Sequence, residues 1–403
     1  MLVRYIYITE NAKKLAEKLC FEKLKGEKFN RETLIGEVIS YKEFKSNDKG
    51  IFSSSDFIIF IMATGIVVRS IANLVKSKFS DPGIIVIDEL GKNVISLLSG
   101  HIGGANEMTN FISEKICANP VITTATDINN KSSFDMIIKY TEARIDNMRK
   151  LCIDINSRLI RNEKIYIFIQ EEYRKLLKNT KNGFIIIDDF DKFKNKCQES
   201  KLGYSKEKFI IITDRIDYID YISDILNYKT ENVKEKDMQS ELVFKLQNEI
   251  VSNTKELFMY NEFEKSFEKS TDEKIIIVIP RKNVLGVGCK RNTDSEKFEK
   301  ELLFYLKENN ISIKSINKIG SIDIKKTEKC ILDFADKYFI KTEFLSKVQI
   351  SKYDSKYHKS EFVKKRVGVY SVAEPSCHIL CEGNLIGKKY ESNGITISVG
   401  RKI

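Results

Sequence analysis

Asp56-Phe-Ile-Ile-Phe-Ile-Met62 runs directly into Ala63-Thr64-Gly65 and then into a helix-patterned stretch from Ile66 to Val75. A short unbroken apolar run, closed by a turn and followed by a helix, predicts a strand buried on both faces. A parallel sheet covered by helices requires strands of that kind. The same order recurs on either side. Upstream, Val3 to Thr9 reads as a strand, and Leu15, Ala16 and Leu19 give Ala12 to Lys23 a helical spacing. Downstream, Asp81-Pro82-Gly83 punctuates before a strand from Ile84 to Asp88, Glu89 to Lys92 reads as a tight turn, and Asn93 to Leu98 returns as a strand. A glycine-rich loop, a helix from Glu107 to Cys117, and the strand Val121 to Thr123 complete the run.

Residues 1–135 therefore predict a largely parallel α/β sheet domain. A small α/β middle module is expected over 136–228, built on Lys164 to Ile169, Phe184 to Asp188 and Phe209 to Thr213. Residues 229–272 hold neither Pro nor Gly, keep Leu242, Val243, Leu246 and Ile250 at helical spacing, and predict a charged helical linker. A separate α/β C-terminal domain is expected over 273–403. Its strands start at Ile275 and Val284, and Thr293 and Glu296 form a capping box for a helix through Leu306. Pro375 suits a first helical position, and Leu385 to Lys389 with Gly394 to Val399 reads as a hairpin or as paired edge strands. The fold class is thus multi-domain α/β.

Composition narrows the function classes. No apolar run reaches the roughly 18 residues of a membrane span, and the start lacks a basic, cleavable leader, so a cytoplasmic protein with no membrane partner is expected. Eight cysteines are scattered without a Cys-x-x-Cys pair, which argues for reduced thiols and against a zinc or iron–sulfur site. The net charge of +11 fits a polyanionic partner or merely solvated lysine faces. No zinc finger, helix-turn-helix or aromatic-studded RNA-binding strand accompanies it, so no nucleic-acid partner is expected.

The chemistry concentrates in Leu98-Ser-Gly-His-Ile-Gly-Gly-Ala-Asn-Glu107 and in Val121-Ile-Thr-Thr-Ala-Thr-Asp127. His101, one of three histidines, is placed for acid–base work or for bracing its loop. The amides of Gly103 and Gly104 open a helix, where they could receive a carboxylate or a developing oxyanion, with Asn106 as a supporting donor. The spacing is neither Gly-x-Gly-x-x-Gly nor a Walker loop, so a nucleotide is disfavoured. In a parallel sheet, ligands sit at the carboxyl ends of strands. That rule places the loops Thr64-Gly65, Gly100 to Gly104 and Thr124 to Asp127 on one edge. Thr64, Gly65, Arg69, Thr124 and Thr126 are the binding candidates there. Arg69 reads equally as a surface cation, the threonines as local caps, and Asp127 chiefly as a cap. In the C-terminal domain, Gly286-x-Gly288 with Lys290 and Arg291 resembles a glycine turn with a basic rim. Glu374 is an acid–base group or a helix cap, and Cys377, His378 and Cys381 read as packing rather than a metal site.

These motifs together resemble one family. Met62-Ala-Thr-Gly-Ile-Val-Val-Arg69, Asp81-Pro82, Asp88-Glu-x-Gly91, Leu97-Leu-Ser-Gly-His-x-Gly-Gly-Ala-Asn106 and Pro120-Val-Ile-Thr-Thr-Ala-Thr-Asp127 are similar to the N-terminal domain of the cobalamin-biosynthesis CbiG family. Gly286-Val-Gly-Cys289, Ser321 to Lys325, Ser371-Val-Ala-Glu374, Lys388 and Gly394-Ile-Thr-Ile resemble its C-terminal domain. Pro375-Ser-Cys-His378 departs from the alanines that many relatives carry there. The resemblance implies hydrolysis of cobalt-precorrin-5A in the anaerobic pathway, opening the ring-contraction lactone with loss of acetaldehyde. It implies no cofactor, because the substrate brings its own cobalt, and no metal site on the protein. It further implies that Arg69, Lys290, Arg291 and Lys388 meet peripheral carboxylates while His101 acts on the attacking water. Transient contacts with neighbouring pathway enzymes would accompany that role. The alternative is a tetrapyrrole carrier without turnover.

Overall fold

A computed structural model describes residues 1–29, 32–201, 207–233 and 274–403. Two compact units emerge: Met1–Lys139 with Asn147–Glu163 and Asn179–Phe184, and Tyr140–Asp146 with Lys164–Lys178 and Ile185–Ile403.

The first unit is built on six strands, β1 (Leu2–Tyr7), β4 (Ile35–Ser40), β5 (Phe57–Ile61), β6 (Gly83–Ile87), β7 (Asn93–Leu98) and β8 (Asn119–Val121), in the order β4-β1-β5-β6-β7-β8. A two-stranded ribbon of β2 (Lys28–Phe29) and β3 (Glu32–Thr33) lies apart from it. The strands from β4 to β6 run parallel, as the apolar runs require. Alternate residues serve opposite faces. Phe57, Ile59 and Ile61 join Val3, Tyr5, Leu19, Met108 and Ile112 in one core. Ile58 and Phe60 join Ile6, Phe44, Val67 and Ile71 in the other. Every residue of β5 and β6 is buried, which is why neither shows a polar alternation.

The departure from a uniform parallel sheet is β7. It folds back on β6 as an antiparallel neighbour, with Ile87 opposite Val94 and Ile84 opposite Leu98, and β8 then runs parallel to β7. The turn between them is held by the Asp88 carboxylate, which accepts from the amides of Leu90, Lys92 and Asn93.

The second unit carries two sheets. In one, β9 (Ile165–Ile169), β10 (Ile185–Ile186), β11 (Lys208–Ile212) and β12 (Ile275–Val278) lie parallel in the order β10-β9-β11-β12. The expected boundary at 272/273 therefore separates strands of a single sheet. Phe209 to Ile212 pairs with Ile275 to Val278, because a strand buried on both faces needs a partner on each edge. In the other sheet β15 (Lys341–Leu345), β14 (Ile316–Ile322), β13 (Asn283–Cys289), β17 (Ile395–Arg401) and β16 (Leu385–Ser392) follow in that order, with β16 and β17 forming the expected hairpin. The expected linker, 229–272, lies outside the described residues from 234 onward.

Gly286-x-Gly288 is not a turn. Both glycines lie inside β13, and a Cβ on Gly286 would overlap the carbonyl of Ala373, so glycine lets the helix Ala373–Leu380 lie directly on the strand. Two expected helix starts shift. Asp294, not Thr293, caps the helix Ser295–Glu308 by accepting from the Lys297 amide, while the Thr293 hydroxyl donates to the Lys290 carbonyl. Pro375 is the third residue of its helix rather than the first, still within the turn whose amides have no helical acceptor.

Candidate functional site

The glycine loop follows β7, and its backbone explains its composition. Ser99 has φ of 57°, and Gly104, the residue before the helix Ala105–Ile116, has φ of 76°. A Cβ on Gly103 would meet the Ser99 carbonyl at 2.8 Å, and one on Gly100 would lie 2.6 Å from Asn106 Oδ1. The glycines thus let the chain close tightly over the start of the helix and leave room for the Asn106 side chain.

Asn106 is 5% exposed and fully used. Its Oδ1 accepts from Ser96 Oγ at 2.6 Å, and its Nδ2 donates to Thr124 Oγ1 at 3.0 Å and to Asp127 Oδ2 at 3.1 Å. Asp127 Oδ2 also meets His101 Nε2 at 2.9 Å, and Thr126 Oγ1 lies 3.1 Å from the same nitrogen. Because an ionised carboxylate only accepts, Nε2 carries a hydrogen in this pair. The structure thus brings together His101, Asn106, Thr124 and Thr126 around Asp127, whose Oδ1 has no partner among the described residues.

Behind His101 lies a buried carboxylate that sequence reading missed. Asp135 is 1% exposed, and its Oδ2 sits 3.8 Å from His101 Nδ1. Lys78 Nζ reaches Asp135 Oδ1 at 2.6 Å, and Asn156 Nδ2 reaches Oδ2 at 2.7 Å. Burial alone would raise the Asp135 carboxyl, but hydrogen bonds from Lys78, Cys152 and Asn156 with the Lys78 charge outweigh it and hold it below the usual carboxylate range. The neighbouring Cys152 thiol is pushed up by burial and by that carboxylate. Lys139, its ammonium pushed down by burial, donates to the His101 carbonyl at 3.3 Å. Nothing in the local sequence Lys131-Ser-Ser-Phe-Asp135 marks this role.

Two expectations change here. The Gly104 amide is not free for an oxyanion, because it donates to the His101 carbonyl at 3.1 Å, and the next two amides donate to Ser99 and Gly100. Asn106 positions Asp127 and Thr124 instead of facing a ligand. The single-edge arrangement also fails. Thr64 and Gly65 follow the carboxyl end of β5, next to the Ile87 end of β6, whereas the loop after Leu98 sits at the opposite, Ile84 end. Three strand steps of about 3.3 Å, from Ile84 to Ile87, separate the two edges by roughly 10 Å. The reversal of β7 is the cause. Arg69 is exposed, lies with its guanidinium beside Gly65, and has no partner among the described residues.

In the second unit, Lys290 and Arg291 are exposed just beyond β13, and the Lys290 stem lies along Gly394. Lys388 is exposed, and its carbonyl accepts from Tyr305 Oη at 3.0 Å. Glu374 stands in the first turn of its helix with Oε2 buried and unpartnered, and burial raises its carboxyl against the opposing charges of Lys389 and His358. His378 Nδ1 pairs with Tyr357 Oη at 2.6 Å, and Cys377 packs against the Val284 carbonyl.

Residues 48–127 match the family model for the cobalamin synthesis G N-terminal region, and residues 283–400 match that for the cobalamin synthesis G C-terminus. The first span contains His101, Asn106 and Asp127, and the second contains Lys290, Arg291, Glu374 and Lys388. The cobalt-precorrin-5A hydrolase of Salmonella typhimurium is 27% identical over 96% of this chain and 93% of its own length. A protein of the same name from Priestia megaterium is 27% identical over 87% of this chain and 79% of its own. Among solved structures, CobE, a protein from the cobalamin (vitamin B12) biosynthetic pathway, is 26% identical over 30% of this chain and 92% of its own, with a TM-score of 0.29.

Proposed function

Because this chain belongs to the CbiG family of cobalamin synthesis and carries both of its regions, we propose that it is a cobalt-precorrin-5A hydrolase. The observation that carries the reading is the near end-to-end match to a hydrolase of that name. The reaction opens the ring-contraction lactone with water and releases acetaldehyde, leaving cobalt-precorrin-5B. Nothing favours a carrier without turnover.

In the proposed mechanism Asp127 and His101 act as one acid–base unit. His101 and Asn106 hold Asp127 Oδ2, which leaves Oδ1 to take a proton from the water that attacks the lactone carbonyl. Asp127 Oδ1 then gives that same proton to the leaving oxygen, while the hydrogen bond from His101 Nε2 to Oδ2 holds the carboxyl in place through both transfers. Of the loop amides, Gly103 N–H is the candidate donor to the developing oxyanion. Thr124 and Thr126 position this unit.

Lys290, Arg291 and Lys388 supply exposed cations for acetate and propionate groups of the substrate, and Glu374 adds a carboxyl that burial raises above its ordinary range. Cobalt arrives with the substrate, so the proposed chemistry draws on no resident cofactor. No described helix is long and apolar enough to cross a membrane. The deciding experiment is incubation of the protein with cobalt-precorrin-5A, reading acetaldehyde and the mass of the corrinoid. Stoichiometric acetaldehyde is expected. Tight binding of the pigment without chemical change would establish carriage instead.

A further inference from the structure

We propose that Cys289, Glu328 and Cys330 form a binding site for a soft divalent cation of the zinc class. Cys289 closes β13, Glu328 precedes the helix Lys329–Lys337, and Cys330 is that helix's second residue. The three donor atoms lie within 4.8 Å of one another, with the two sulfurs 3.9 Å apart. Two thiolates on a tetrahedral zinc at about 2.3 Å stand about 3.8 Å from each other, so the sulfurs are already at the edge length of such a site. Cys330 is 0% exposed and Glu328 is 9% exposed, which gives the site the dry wall that thiolate coordination favours.

Glu328 is oriented from behind. Its Oε1 accepts from the Asn292 amide at 2.6 Å and its Oε2 from Lys325 Nζ at 2.9 Å. A carboxylate oxygen has two acceptor sites, so one on each oxygen stays open toward the sulfurs. The charges also close. Two thiolates and a carboxylate are matched by a divalent cation together with the Lys325 ammonium, whose side chain is 12% exposed. Three protein donors leave one tetrahedral position for water, on the side of the partly exposed Cys289.

Sequence reading passed over this group because its members are dispersed, with no Cys-x-x-Cys to flag them. The cation would tie the end of β13 to a helix forty residues further on. It would thereby fix Lys290 and Arg291. Only this last consequence rests on the proposed hydrolase reading; the site itself does not.

The test uses the full-length protein, reduced with a phosphine and freed of metal. Zn²⁺ is titrated against a chromogenic chelator, and Co²⁺ is added as a spectroscopic probe. The expected result is one equivalent bound and a near-ultraviolet thiolate-to-cobalt charge-transfer band. Cys289→Ser and Cys330→Ser should each lower the band to half or less and weaken Zn²⁺ binding by more than the roughly 10–100-fold typical of losing an outer partner. Glu328→Gln, which keeps the shape and can still accept from one of the two donors, should weaken binding while the fold is unchanged by circular dichroism. Cys381→Ser should bind as the parent does. Absence of stoichiometric binding, or a band of undiminished intensity in Cys289→Ser, overturns the proposal. Because no readout is turnover, failure here leaves the hydrolase reading standing, and failure of acetaldehyde release leaves this site standing.

Discussion

Asp127 and His101 carry the sharpest residue-scale expectations. If Oδ1 of Asp127 is the base, Asp127→Asn should lower kcat by about a hundredfold or more while Tm stays close to that of the parent. The asparagine can still accept from His101 and Asn106, so steady-state kinetics and thermal melting separate chemistry from bracing. His101→Ala retaining full turnover would confine His101 to holding the loop.

Asp135 acts on stability. Its carboxyl is depressed in the folded state, so its contribution is fully present above the unfolded value of about 3.9 and is lost as pH falls through the lower folded value. Asp135→Asn should cost about 1–2 kcal/mol near neutral pH, kept modest because the Lys78 side chain is 45% exposed. Urea unfolding at pH 7 and at pH 3 should show the gap between variant and parent narrowing in acid. Of these residues, His101 was legible as a candidate because histidine on a glycine loop is rare. Asp127 was read chiefly as a cap and Asp135 not at all, since a carboxylate's role depends on what packs beside it.

At the scale of elements, the turn Glu89 to Lys92 decides the geography of the site. Sequence reading recognised both the turn and the returning strand, yet placed all three loops on one edge by the rule for parallel sheets. A hairpin reverses the chain, so the loop after β7 opens at the start of β6, not at its end. Arg69 accordingly stands on the far edge from His101. Arg69→Ala should leave kcat within about twofold of the parent, the size expected of a surface change away from the chemistry. A loss of a hundredfold would return Arg69 to the reacting centre. The glycine pair of β13 suits a strand from Val284 to Gly288 and a glycine turn alike, and only the packing of Ala373–Leu380 decides for the strand.

Across the whole molecule, the second unit is braced by a buried polar network. Asp214 Oδ2, 1% exposed, accepts from Tyr173 Oη at 2.7 Å, from Asn283, and from Arg401 Nη2 at 2.7 Å. These residues come from the ends of both its sheets, so the network ties β11 to β13 and β17. The Tyr173 hydroxyl is pushed well up by burial and by the Asp214 charge. Arg401→Met removes one partner of a buried pair and should cost about 3–5 kcal/mol by urea unfolding. A cost below 1 kcal/mol would show the network to be dispensable.

The sequence by itself determined the class of fold, the identity of its buried strands and the family, because continuous apolar runs and ordered motifs are properties of neighbouring residues. Tertiary structure decided which edge each loop occupies, which carboxylates face His101, and that Cys289, Glu328 and Cys330 meet. Those depend on strand direction and on contacts between residues far apart in the chain, which no local pattern encodes.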